Sequence, residues 1–320
     1  MSAVTSDSIS HFRTCPLCEG MCGVEVKITA GRIESIRPDK DNVWSRGHIC
    51  PKGTTLGALH DDKDRIRNPM IRDNRTWREA SWEEALRRCQ QLIHKVRTVY
   101  GTRAMCTYTG NMVGKSFDIG RYLMPFMRKA LLGSHFSSST VDQQPKNLSS
   151  MLLYGDMWKI PVPDIDNTDL FVIFGANPSA SKGSIFSHRD VMGAMRALRA
   201  RGGRVIVIDP VRTGTAQKAD EWISIVPGTD AALLFAIVHT LFQENKVRLG
   251  HLENLVNGLD ALRRAAEPFS PEAVAQFCGI PAAAIRTLAH RIADAPHAAV
   301  YGRIGLCTQR FGSLASWSPL

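Results

Sequence analysis

The sequence predicts an α/β protein in which a small β-rich cap organised by cysteines precedes an open, mostly parallel α/β sheet. Three observations carry this. Cys15, Cys18 and Cys22 form a tight Cys-x2-Cys-x3-Cys group, and Cys50 returns after a spacer of 27 residues to open Cys-Pro-Lys-Gly. Asp169-Leu-Phe-Val-Ile-Phe174 and Arg204-Val-Ile-Val-Ile-Asp209 are continuous apolar runs of the kind buried on both faces of a parallel sheet. A helical stretch at 184–201, stopped by Gly202-Gly203, joins them into a β-loop-α-β unit.

The cysteine grouping is specific. Three thiolates in one loop and one remote thiolate can occupy the corners of a [4Fe-4S] iron–sulfur cluster. A zinc ribbon usually presents two separate Cys-x-x-Cys knuckles, and Cys50 has no partner two residues away, so zinc stands as the plainer alternative. Val24, Val26 and Ile28 alternate with polar residues and Ile33 and Ile36 follow Ala30-Gly31, which predicts a hairpin that brings the chain back toward Cys50. The resulting iron–sulfur cap, about 10–65, is short enough that its folding should depend on its metal centre. Cys89, Cys106, Cys278 and Cys307 are dispersed and read as buried small hydrophobes.

The second domain is expected over 66–320. Ser81-Trp-Glu-Glu84 reads as a capping box, and Ala85, Leu86, Cys89, Ile93, Val96 and Val99 give the helix it opens an apolar stripe that ends at Gly101. A strand at 104–108 leads through Thr109-Gly-Asn111 into an amphipathic stretch at 113–132. Residues 134–145 are polar and without period, a surface loop or a cavity lining. In the β-loop-α-β unit, Gly175-Ala-Asn-Pro178 follows the first strand and Asp209 tips the second, a sheet of the dinucleotide-binding type. Small residues let backbone N–H groups approach a phosphate, and the acid can accept from a ribose hydroxyl. The absence of a complete Gly-x-Gly-x-x-Gly disfavours an NAD site, and a ligand-free structural unit is the alternative. A strand at 222–226 ends in Pro227-Gly-Thr-Asp230, where Thr229 or Asp230 would cap a helix to about 245. Helices near 271–277 and 281–295 and a strand at 298–301 complete the sheet.

At 320 residues and 44% hydrophobic, the chain has room for two cores. The formal charge of +10 comes from 40 Lys and Arg against 30 acids, yet no run of five basic residues occurs, so no nucleic-acid partner is expected. A basic cavity for a diphosphate-bearing cofactor or a solvated basic surface accounts for the charge. The most apolar stretch, 231–242, is interrupted by His239 and is too short to span a membrane. The N-terminal residues lack an apolar export segment, which gives a cytoplasmic expectation.

Taken together, the motifs resemble the molybdopterin oxidoreductases, the family of formate dehydrogenases and nitrate reductases. The carrying residues are the four cysteines with Cys-Pro-Lys-Gly, Ile165-Asp-Asn-Thr-Asp-Leu, Gly175-Ala-Asn-Pro178, Asp209-Pro-Val-Arg-Thr213, Pro227-Gly-Thr-Asp230 and Gly302-Arg-Ile-Gly305, in the family's order. The resemblance implies molybdenum or tungsten on two pterin guanine dinucleotides (bis-molybdopterin guanine dinucleotide). It puts Lys52 between cluster and pterin, and Asn111, Gly175, Asn177, Pro178, Asp209, Thr213, Gly228 and Asp230 around one dinucleotide. An oxidoreductase catalytic subunit acting on a small-molecule substrate, with an electron-transfer partner protein, is the implied function. The alternative is a noncatalytic iron–sulfur scaffold like the large subunit of NADH dehydrogenase.

Two departures stand out. Family members continue for several hundred residues beyond the last motif, so the resemblance implies an N-terminal portion. It would be either a truncated reading frame or one piece of a split subunit whose missing domains a separate chain supplies, and alone it would be inactive. Formate dehydrogenases carry Cys or selenocysteine before His-Gly-Pro, and the matching stretch here is Asp142-Gln-Gln-Pro145. Asp142 is therefore the expected protein ligand to the metal and, with Lys52, a catalytic candidate. The open alternatives are Asp142 as a helix cap toward Asn147 and Leu148, Val141 at the metal with no protein ligand, and Ser139 or Thr140 as ligand.

Overall fold

A computed structural model describes residues 8–18, 20–110, 117–137, 142–182, 186 and 188–317. The chain divides into two compact units, Met1–Ser138 and Ser139–Leu320.

The first unit begins with an antiparallel sheet of β1 (Ser8–Thr14), β2 (Gly23–Thr29) and β3 (Arg32–Pro38), in that order. The alternating apolar residues produce the expected β2–β3 hairpin. Its two-residue loop, Ala30-Gly31, is left-handed at both positions (φ 50° and 75°), the geometry that matches strand twist. β1 was not expected. Ile9 and Phe12 fall on opposite strand parities, so the segment has no alternation to read, and pairing with β2 from Ser8↔Thr29 to Thr14↔Gly23 holds it in place. Inside the cap, Cys15, Cys22 and Val24 are buried against Leu17, Val26, Ile36, Ile49 and Leu56.

A hairpin of β4 (Met70–Asp73) and β5 (Thr76–Glu79) precedes α1 (Trp82–Tyr100). The Ser81 hydroxyl accepts from the Glu84 amide, as its position predicts, and Gly101 ends the helix at φ 76°. The Glu84 carboxylate pairs with Arg78. The apolar stripe of α1 is not a core: none of its residues is buried. Cys89 is accordingly exposed, and so is Cys106, which opens β6 (Cys106–Thr109). Only Cys278 and Cys307 of the four dispersed cysteines are buried as expected. The stretch expected as one helix over 113–132 is α2 (Phe117–Phe126), with Pro125 inside it, followed by a wider π turn at Met127–Leu131. Part of the expected loop at 134–145 is a strand, β7 (Ser134–Ser137), parallel to β6.

The second unit opens with α3 (Gln144–Tyr154) and is built on a parallel sheet of β8 (Leu170–Phe174), β9 (Arg204–Ile208), β10 (Glu221–Ile223) and β11 (Ala298–Gly302). The spatial order is β10-β9-β8-β11, with every pair parallel. The chain therefore lays three strands in one direction and then returns to the far side of β8, creating a topological switch point between β8 and β11. Phe171, Ile173, Val205 and Val207 face α4 (Val191–Ala200). Val172, Phe174, Ile206 and Ile208 face α5 (Asp230–Gln243), α6 (Pro271–Cys278) and α7 (Ala282–Asp294). Each such buried side chain contributes about 1.5–3 kcal/mol.

One boundary and one cap differ from the sequence reading. α4 starts at Val191 rather than 184 because the Asp190 carboxylate accepts from the Gly193 amide and fixes the first turn there. α5 has Thr229 at its N-cap without a side-chain cap; the Thr229 hydroxyl instead donates to the Val226 carbonyl.

Candidate cluster and nucleotide sites

In the first unit the cysteine loop is closed by the Cys15 amide, which donates to the Cys22 carbonyl at 2.8 Å, and by the Met21 amide on the Cys18 carbonyl at 3.2 Å. Cys50 is the N-cap of a single helical turn, Pro51–Thr54, whose Gly53 amide donates to the Cys50 carbonyl. That turn reaches the loop: a methyl group on Gly53 would lie 3.6 Å from the Cys15 Sγ. All four thiols are unoxidised. Burial pushes the Cys15 thiol up, and Cys22, Cys18 and Cys50 push it further as neighbouring negative charges, so the four sulfurs share one locality. Among the described residues, no three His, Cys, Asp or Glu side chains are gathered closely enough for a single metal ion. Four cysteines in one locality, two buried and two half-buried, are a donor set of the kind an iron–sulfur cluster takes, and the residues fit the cluster. Lys52 is exposed on the turn at Pro51–Thr54.

A second wall of this loop carried no legible signal. The Asn42 side-chain oxygen accepts from the Trp44 amide, the Ser45 amide and the Ser45 hydroxyl, folding 42–45 into a tight clasp. The Trp44 indole N–H then donates to the Gly20 carbonyl at 2.9 Å, and the buried Ser45 hydroxyl accepts from the Gly23 amide at 3.0 Å.

In the second unit, the expected nucleotide residues gather at the carboxyl ends of the parallel strands. Gly175 follows β8 at φ 52°, and its carbonyl accepts from the Gly305 amide, in the turn after β11, at 2.9 Å. Pro178 is buried at the start of a helical turn capped by Asn177. The Asn177 side-chain oxygen accepts from the Ser179 and Thr215 hydroxyls, both at 2.7 Å, which ties the β8 loop to the β9 loop. The Thr213 hydroxyl accepts from the Ala216 amide. Asp209 accepts from the Val211 amide, and its carbonyl from the Trp222 indole. Gly228, at φ 86°, turns the chain so that Asp230 begins α5 with only 5% exposure. Burial raises the pKa of both carboxyls, and the charge of Asp209 raises Asp230 further.

Gln309 holds Asp230 through its amide nitrogen at 3.0 Å, while its own side-chain oxygen is buried without a partner. Two under-donated carboxyls and an orphaned amide oxygen fit a ligand rich in N–H and O–H donors, as a nucleotide is. Asn111 lies outside the described residues.

Asp142 stands two residues before α3. Gln143, not Asp142, is the helix N-cap, so the capping alternative does not hold. The Asp142 carboxylate instead accepts from Arg303 at 3.2 Å, where Arg303 is only 8% exposed. Ser139, Thr140 and Val141 lie outside the described residues.

Fold and residues together define an α/β protein with a parallel sheet of the dinucleotide-binding type and a four-cysteine cap. Residues 65–286 match the model of the molybdopterin oxidoreductases and residues 13–61 that of the molybdopterin oxidoreductase Fe4S4 domain, so the chain belongs to the molybdopterin oxidoreductase family. It is 29% identical to formate dehydrogenase H of Escherichia coli over 91% of this chain and 41% of that protein. It is 28% identical to the F420-dependent formate dehydrogenase subunit alpha of Methanocaldococcus jannaschii (83% and 38%) and 28% to a nitrate reductase of Synechocystis (86% and 39%). The chain thus spans about two-fifths of the length of these relatives. Acetylene hydratase from Pelobacter acetylenicus shares the fold, with a TM-score of 0.75 over 96% of this chain and 42% of that one, at 22% identity. No helix among the described residues is long and apolar enough to cross a membrane.

Proposed function

We propose that this chain is the cofactor-holding N-terminal part of an oxidoreductase catalytic subunit. Residues 10–65 would hold a [4Fe-4S] cluster through Cys15, Cys18, Cys22 and Cys50. Residues 66–320 would hold one dinucleotide of a molybdenum or tungsten bis-molybdopterin guanine dinucleotide, using Asn111, Gly175, Asn177, Pro178, Asp209, Thr213, Gly228 and Asp230. When bound, the pterin metal supplies two-electron chemistry and the cluster carries electrons singly.

The observation that carries this reading is the β8/β11 switch point of the parallel sheet, with the buried Asp230 carboxyl in the same unit, in a chain that also brings four cysteines into one locality. Asp209 and Asp230 would accept from base and ribose donors, and the glycines at 175 and 305 would let a phosphate-bearing ligand approach the backbone. Lys52 would give a cation beside two anionic groups. Asp142 would be the protein ligand to the metal, since a high-valent, oxygen-rich centre takes an anionic oxygen, and Arg303 would fix that carboxylate's orientation. The relatives named as formate dehydrogenases and a nitrate reductase support a catalytic over a scaffold role. Formate is the first substrate to try. An electron-transfer protein, a polypeptide corresponding to the remainder of the relatives, and a cytoplasmic setting complete the proposal.

The test is metal analysis of anaerobically purified and reconstituted protein. About four irons per chain without zinc are expected; one zinc and no iron would remove the cluster. Substituting Asp142→Ala in a protein carrying the relatives' remaining domains should change the metal's X-ray absorption spectrum. Unchanged coordination would remove Asp142 from the site.

A further inference from the structure

A small cavity in the second unit is lined by β11 and by none of the residues assigned to the dinucleotide. Its volume is about 100 Å³, and Pro161, Val162, Pro163 and Val300 form its carbon walls. Its polar lining residues are Lys146 from α3, Tyr301 and Ser316, whose hydroxyl also pairs with the Cys307 thiol at 3.4 Å. Lys146 is only 6% exposed, an unusual position for a residue whose ammonium carries three donors.

Its neighbours do not balance its charge. Nζ donates to the Gly302 carbonyl at 3.1 Å and lies 5.5 Å from the centre of the Tyr301 ring. Among the described residues no carboxylate is within ion-pair distance of it. The nearest relevant charge is Arg303, a second cation, and the one carboxylate there, Asp142, is held by Arg303 itself. Arg303 is thus paired with an acid, whereas Lys146 has, among the described residues, a carbonyl and an aromatic face. A buried charge is retained only where it is paired or coordinated, and this lysine retains donor capacity beside a cavity.

We propose that this cavity binds a small monovalent oxyanion or carboxylate, of formate, nitrate or acetate size, held by the Lys146 ammonium and the Ser316 hydroxyl. Size and walls set the class. A space of about 100 Å³ takes a few heavy atoms and not a nucleotide, and the carbon walls disfavour a polyvalent anion that keeps its hydration shell. An anion would also relieve the repulsion between Lys146 and Arg303, so binding should stabilise the folded chain in proportion to occupancy. The proposal does not rest on the cluster or pterin reading, because the test uses the 320-residue chain without either.

Titration calorimetry at pH 7 and constant ionic strength, with sodium formate, nitrate, acetate and sulfate in turn, reads it directly. A saturable one-site isotherm is expected for the monovalent oxyanions, with sulfate at least tenfold weaker. Lys146→Met should weaken binding tenfold or more, and Lys146→Arg should retain it to within a few-fold. Val162→Phe, at a half-exposed wall position, should block the cavity without touching a charge, which keeps the test decisive if Lys146→Met fails to fold. Equal, non-saturating responses to all four salts, or wild-type affinity in either Lys146→Met or Val162→Phe, would overturn the proposal.

Discussion

Gly175 and Gly305 meet backbone to backbone: beyond the 2.9 Å hydrogen bond between them, a methyl group on Gly305 would sit 2.6 Å from the Gly175 Cα. The contact joins the loop after β8 to the turn after β11, the two strands that flank the switch point. Only a residue without Cβ allows it at either position. Gly305→Ala should therefore force the two loops apart and cost roughly 1–3 kcal/mol, as overpacking does. Urea unfolding of the 320-residue chain measures it, and an unchanged midpoint would mean the contact does not form.

Trp44 should matter to the cluster although it carries no sulfur. Trp44→Phe removes the indole donor to Gly20 and keeps an aromatic ring, so the Cys18–Cys22 loop loses a bond worth about 1 kcal/mol. Ser45→Ala leaves the buried Gly23 amide without its acceptor, a larger penalty of about 1–3 kcal/mol. The reconstituted cluster should bleach in chelator faster in Trp44→Phe than in wild type, and faster still in Ser45→Ala. Identical bleaching rates in all three proteins would show that the clasp does not support the loop.

Much of this architecture was legible because its signals are local. The cysteine spacing, the Ala30-Gly31 turn, the Ser81 cap and the apolar runs of β8 and β9 each act through neighbours within a few positions. What stayed hidden depends on distant partners. Trp44 grips Gly20 across 24 positions and Gln309 holds Asp230 across 79, with no periodicity to announce either. Lys146 donates to the Gly302 carbonyl across 156 positions, again with no local signal. The apolar stripe of α1 misled in the opposite direction, since periodicity reveals which face wants burial and not whether anything covers it.

Asp230 should make the chain less stable as pH rises. Its folded-state pKa is raised by burial, so the folded form prefers the protonated acid. The stabilising contribution is complete below the ordinary carboxylate range near 3.9 and is lost as pH climbs through the raised value. Asp230→Asn keeps an acceptor for Gln309 and cannot ionise. The stability of wild type relative to this variant should fall steadily from pH 4 upward and level off once Asp230 is charged. A difference independent of pH would show that Asp230 is not held in a charge-averse site.

Lys146 should produce the opposite slope at the alkaline end. Burial first, and Arg303 second, depress its pKa from 10.5 to about 8. Between those values the unfolded chain binds a proton that the folded chain has released, so stability must rise with pH over this window. The full difference corresponds to something on the order of 3 kcal/mol, the cost of keeping the charged amine buried at neutral pH without an anion. Lys146→Met has no such proton to release. Its stability should exceed that of wild type at pH 7 in an anion-poor buffer, and the advantage should shrink as pH approaches 10. Adding the bound anion at pH 7 should close the same gap by stabilising wild type alone. Chemical unfolding of both proteins across pH 7 to 10 decides the matter: parallel profiles would mean that Lys146 is not a charge-strained group in the folded chain.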